Sequence, residues 1–141
     1  MTLQNWEMVH NYANSNLGRI WILYDASKIK LIIIESNLQY IHYKVEWRNA
    51  QFSWTCVYGS YDVNIKKMLW QDLVRILGSV ETPWLRQGNF NTFLSNCDRM
   101  GGILVNQEVV EEFQGYVLNL DLLEVQYSGP KFTWTNFQDG G

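Results

Sequence analysis

An α/β (α+β) domain, with helices covering a mostly antiparallel sheet, is the fold class that this 141-residue sequence predicts. Three observations lead there. Four extended-looking stretches follow one another between Gly18 and Tyr58, two later stretches repeat apolar residues at helical spacing, and aromatic residues make up 15% of the chain. That density of Trp, Tyr and Phe suits a sheet-rich core better than a coiled coil.

The extended stretches are residues 19–24, 29–35, 40–47 and 52–58, separated by Asp25-Ala26-Ser27, Ser36-Asn37 and Arg48-Asn49-Ala50. They predict a meander of strands. The third has the cleanest period of two, with Ile41, Tyr43, Val45 and Trp47 on a dry face and His42, Lys44 and Glu46 on a wet one. His42 is therefore expected at the surface. After Gly59 the period changes: Ile65, Leu69, Leu73, Ile76 and Leu77 form a helical stripe opposite Lys66, Lys67, Gln71, Asp72 and Arg75. Asp62 is the expected N-cap and Gly78 the stop.

Residues 83–87 then lead into Gly88-Asn89-Phe90-Asn91, which reads as a short buried strand ending in a tight loop, and a looser stretch covers residues 95–102. A second helix is expected after Asn106, with Val109, Val110, Phe113, Val117 and Leu118 as its stripe. Gly115 weakens it by about 1 kcal/mol relative to Ala. Ser128-Gly129-Pro130 is a turn before a last extended piece at residues 131–135. No repeat, low-complexity tract or linker interrupts this order, so residues 1–141 read as one domain.

Eleven Lys and Arg stand against 14 Asp and Glu, giving a net charge of −3. The basic footprint of a module that grips nucleic acid by its phosphates is missing. A chain of this size buries roughly 70% of its unfolded surface, enough for a core without metal or disulfide support. Cys56 and Cys97 are too few for a secreted disulfide scaffold, so an intracellular, reducing compartment is expected, nuclear or cytoplasmic being left open. No signal peptide is indicated, and the longest aliphatic run, Leu31 to Ile34, falls far short of the ~20 residues a membrane helix needs.

Chemistry-bearing patterns are sparse. The histidines are His10 and His42, neither cysteine has the context of an activated nucleophile, and no metal-ligand or phosphate-loop spacing is present. Cys56 shares strand parity with Phe52, Trp54 and Tyr58 and reads as a small core residue. Glu108, Glu111 and Glu112 share a helix flank and read as a solvated acidic face. Asp98-Arg99 before Gly101-Gly102 reads as an exposed turn.

Seven segments in series stand above this background: Gly18-Arg19-Ile20-Trp21-Ile22-Leu23, Gln39-Tyr40-Ile41-His42, Thr55-Cys56-Val57-Tyr58-Gly59, Leu69-Trp70, residues 83–91 (Pro-Trp-Leu-Arg-Gln-Gly-Asn-Phe-Asn), Gly101-Gly102, and residues 129–136 (Gly-Pro-Lys-Phe-Thr-Trp-Thr-Asn). In content, order and spacing they resemble the endonuclease domain of plant LINE-type non-LTR retrotransposons, within the DNase I-like endonuclease/exonuclease/phosphatase superfamily. The resemblance spans essentially the whole chain.

It implies a DNase I-like layered β-sandwich flanked by helices, incomplete here, and a Mg²⁺-dependent phosphodiesterase ancestor acting on DNA. The resemblance also marks Tyr58, Asn89 and Asn91 as site residues. Tyr58 matches the phosphate-side tyrosine, and Asn91 the family's phosphate-contacting Asn. Asn89 stands where the family's Gly-Asp-Phe-Asn loop carries its water-handling Asp, and a carboxamide cannot take a proton from water. The family's metal-holding Glu and an early Asn would lie upstream of Met1, and its terminal Asp-His pair beyond Gly141. The expectation is an inactive endonuclease remnant that retains no cofactor, Mg²⁺ entering only through the resemblance, binds DNA weakly, contacts no membrane and self-associates through uncovered sheet edges. The alternative is a pseudo-enzyme that binds nucleic acid or protein through the residual phosphate-facing pocket.

Overall fold

The computed structural model describes residues 4–92, 107–123 and 128. The chain divides into two compact units, Met1–Asn91 and Thr92–Gly141. Within the described residues it is a mixed α/β fold with two sheets and two helices: strands β1 (Trp6–His10), β2 (Trp21–Asp25), β3 (Ile29–Ser36), β4 (Tyr40–Trp47) and β5 (Ala50–Tyr58), helix α1 (Val63–Leu77), strand β6 (Trp84–Asn89) and helix α2 (Gln107–Asn119).

The four strands expected between residues 18 and 58 are present as β2 to β5, and their turns follow local chemistry. Asp25 Oδ1 accepts from Ser27 N at 3.0 Å, and Asn37 Oδ1 accepts from Gln39 N at 2.8 Å and Tyr40 N at 3.1 Å. Arg48 takes a left-handed φ of 55° in the tight β4–β5 connection. β3, β4 and β5 form an antiparallel meander, and β6 joins β5 in parallel after the α1 crossover. β1, not foreseen, pairs antiparallel with β2 in a separate two-stranded sheet. Four of its five residues are exposed, which removes the alternation by which a strand is read.

The expected dry face of β4 is dry at three of its four positions. Ile41, Tyr43 and Val45 form one buried cluster with Ile20, flanked by half-buried Val9, Ile22, Leu31, Phe52 and Trp54, so the β1–β2 ribbon supplies part of this core. Trp47, at the strand end, is 43% exposed. The expected wet face is only half wet. Tyr40 and His42 are buried while Lys44 is exposed, because α1 and the Trp84 side chain close over that end of the sheet. Gln39 Nε2 donates to Ile65 O at 2.7 Å, and Arg75 Nη2 donates to Glu35 at 2.6 Å and to the Tyr40 hydroxyl at 3.2 Å, tying the helix to the strands.

Asp62 caps α1 as expected, accepting from Asn64 N and Ile65 N. The buried stripe is Lys66, Leu69, Trp70, Leu73 and Ile76. Ile65 and Leu77 lie at its exposed margin, and Lys66 is turned inward rather than outward. Gly78 ends the helix at φ −68°, right-handed, so the stop uses no left-handed glycine. β6 is half-buried from Trp84 to Arg86 and exposed from Gln87 to Asn89, less enclosed than its sequence suggested.

In the second unit, Val110 and Phe113 of α2 are buried, Val117 is half-buried and Leu118 is 79% exposed; Leu120, just past the helix, is buried instead. Cys97, residues 95–102, Asn106, the Val109 side chain, Gly129-Pro130 and residues 131–136, for which the sequence carries expectations, lie outside the described residues. No helix among the described residues is long and apolar enough to cross a membrane.

Candidate functional site

Parallel pairing of β5 with β6 places Tyr58 opposite Asn89 and Val57 opposite Gly88. The two strands come very close here. A Cβ on Gly88, whose φ is +137°, would meet the Val57 carbonyl oxygen at 2.0 Å, and one on Gly59 would meet the Phe90 carbonyl at 2.6 Å. Gly59 N donates to Asn89 O at 2.8 Å, extending the ladder by one bond. The chain then bends at Asn91, left-handed at φ 49°, whose backbone N–H is accepted by Asn89 Oδ1 at 2.8 Å.

Asn91 also sends its side-chain amide back to the Gly59 carbonyl, and its own carbonyl receives the ammonium of buried Lys66. Tyr58 is half-buried, and its hydroxyl oxygen accepts from Arg19 Nη1 at 3.0 Å while the guanidinium sits 5.0 Å from the ring centroid. The phenol proton is thereby left to donate elsewhere. All three residues singled out from the sequence are thus brought to one end of the β5–β6 pair.

Three further residues hold this end together. Gln39, buried, accepts Ser60 N on Oε1 at 2.9 Å and donates to the first turn of α1, and its backbone carbonyl takes Tyr58 N at 2.8 Å. Arg19 comes from 39 residues before Tyr58 and Lys66 from 25 residues before Asn91. Arg19 and Gln39 lie inside the quoted sequence segments, which was the available signal. Lys66 gave none, because its spacing on the helix marks it as a solvated residue.

A second polar group lies on the α1-side face. His42 Nδ1 and Thr55 Oγ1 are 2.8 Å apart, Trp84 Nε1 donates to the same Thr55 oxygen at 2.8 Å, and the His42 and Trp84 rings meet edge to face at 6.1 Å. Burial holds the His42 imidazole below its ordinary range, so it stays neutral near pH 7. Cys56 lies in the opposite face beside the Tyr43 hydroxyl, and burial pushes its thiol up, away from reactive thiolate.

No known family model matches the chain, and no curated protein matches it.

The donor set does not fit a resident Mg²⁺. A hard divalent cation is held by carboxylates, whereas Tyr58, Asn89 and Asn91 are neutral, Arg19 and Lys66 are cationic, and the Asn89 side-chain oxygen already serves the turn. Among the described residues no group of three or more His, Cys, Asp or Glu is placed to hold a metal ion. Along α2, Glu108 and Glu111 are exposed, with Gln107 Nε2 donating to Glu111 at 3.2 Å, while Glu112 is half-buried, so the expected solvated face holds at two of its three carboxylates.

Proposed function

We propose that this chain is a catalytically inactive remnant of a Mg²⁺-dependent DNA endonuclease domain of the DNase I-like type, derived from a plant LINE-type retrotransposon. The observation that carries this reading is the register of the parallel β5–β6 pair. Tyr58-Gly59 and Asn89-Phe90-Asn91, the two segments the resemblance marks as phosphate-side, meet at the carboxyl ends of two parallel strands, where open α/β sheets place their ligand sites. Inactivity follows from position 89. A carboxamide there keeps the turn but supplies no negative charge and no proton acceptor, a loss of about 10² to 10⁴ in rate for general acid or base work.

The test is nicking of supercoiled plasmid by the purified chain with Mg²⁺. No nicking is expected, and Asn89→Asp alone is expected not to restore it, because one anion does not make a cation site. Mg²⁺-dependent nicking that is lost in Tyr58→Phe or Asn91→Ala would overturn the proposal.

A binding role is favoured by one observation: the exposed cation Arg19 stands beside the Tyr58 hydroxyl at this end of the sheet. A phosphate-bearing partner would meet donors and positive charge there. With a net charge of −3 the affinity for DNA is expected to be weak and to fall steeply with salt. A mobility shift that is insensitive to Arg19→Ala would argue against this second reading.

A further inference from the structure

We propose that β3 is the dimerisation edge of this protein, pairing antiparallel with β3 of a second copy about a two-fold axis at Ile32. Among the described residues β3 is an outer strand of the four-stranded sheet. Its outward run is unusually apolar: Ile32, Ile33 and Ile34 are 38%, 40% and 51% exposed, without a proline or charge among them. Edges of that composition are templates for another strand.

The β-bulge decides which strand fits. Lys30 and Glu35 are an odd number of residues apart and would face opposite sides of a regular strand. The irregularity between Ile33 and Glu35 takes Ile34 out of register, so that Lys30, Ile32 and Glu35 share the face carrying Glu46, Lys44 and His42 on β4. Lys30 and Glu35 then stand symmetrically about Ile32. Antiparallel pairing with a second copy puts Ile32 opposite Ile32, Leu31 opposite Ile33, and each Lys30 opposite Glu35 of the other copy. Two opposite-charge pairs flank an aliphatic centre, and every residue keeps its face.

Glu35 has room for this contact. Tyr40 and Arg75 both donate to its Oε1, which leaves Oε2 for the incoming ammonium, and the Lys30 side chain is 67% exposed with only a 3.4 Å contact to Glu46. The exposed Met8, Trp21 and Leu23 of the β1–β2 ribbon offer no comparable charge pair to select a partner. One strand edge buries less than the roughly 1,200 Å² of a standard stable interface, so the dimer is expected to be weak and to form at tens to hundreds of micromolar.

Sedimentation velocity across that concentration range tests this. Wild type is expected to pass from monomer to dimer, with slower hydrogen exchange in β3 amides at the high end. Ile32→Lys, which sets two ammonium groups together at the axis, is expected to weaken association more than about tenfold, and Lys30→Glu to weaken it as well. Met68→Lys, on an exposed position of α1, is expected to leave it unchanged. Under mild oxidation Ile32→Cys should form a homotypic intermolecular disulfide, since opposed Cα atoms at about 4.5–5.5 Å suit that bond. A wild type that stays monomeric, association that survives Ile32→Lys, or β3 exchange independent of concentration would each overturn the proposal.

Discussion

The side-chain amide of Asn91 donates to the backbone carbonyl of Gly59, 32 residues earlier in the chain, and so closes the β5–β6 end of the sheet. Asn91→Ala removes that bond and also places a Cβ-bearing residue without a polar side chain at φ 49°. The expected cost is about 2–3 kcal/mol in urea unfolding, from the lost hydrogen bond and the left-handed backbone together. Asn91→Gly loses the same bond without the backbone penalty and should cost less by about 1 kcal/mol. Equal losses in the two variants would mean that the turn carries no left-handed strain.

Gly88 is expected to be the least replaceable residue of the site. Its φ of +137° and the 2.0 Å approach of a Cβ to the Val57 carbonyl oxygen leave alanine no place without parting β5 from β6. Gly88→Ala should therefore cost more than about 3 kcal/mol, read by chemical denaturation followed by tryptophan fluorescence.

Thr55 serves two partners. Thr55→Val keeps the shape of the side chain but strands the half-buried Trp84 Nε1 and removes one of the two hydrogen bonds of the His42 ring, whose other partner is the Trp54 backbone. A loss of about 1–3 kcal/mol is expected in thermal melts, against a nearly neutral effect if water replaces the hydroxyl.

Acid should destabilise the protein in two steps. The folded state lowers the pKa of His42 from 6.5, chiefly by burial, and that of Glu35 from 4.5, chiefly through the Arg75 hydrogen bond. In each case the unfolded chain takes up the proton first, so stability is full above the ordinary value and lost as pH falls towards the folded one. Around His42 stand Thr55, Trp84, Glu35, Lys44 and Arg75, and burial outweighs the nearby carboxylate. The melting temperature is expected to fall from pH 7.5 to pH 5.5, then further below about 4.5. His42→Gln should flatten the first step and leave the second.

Gly115 sits within α2 with nothing inside 4 Å of a Cβ added there. Gly115→Ala is expected to stabilise that helix by about 1 kcal/mol and to raise far-ultraviolet helical signal slightly. A destabilised variant would show that the position needs glycine for a neighbour's approach.

The sequence by itself determined the strands β2 to β5, the cap and apolar stripe of α1, and the core side of β4, because each rests on period, turn chemistry or a cap within a few residues. It also marked Tyr58, Asn89 and Asn91, through resemblance rather than through chemistry that could be derived. Tertiary structure alone decided that Tyr58 meets Asn89, that Lys66 turns inward to the Asn91 carbonyl, that Arg19 reaches Tyr58, and that His42 is buried and neutral. Those outcomes depend on which distant element covers a given face. The local alternation around His42 or the helical spacing of Lys66 is the same whether water or another strand lies beyond it, so burial and charge state were settled only when the α1 crossover laid β6 beside β5.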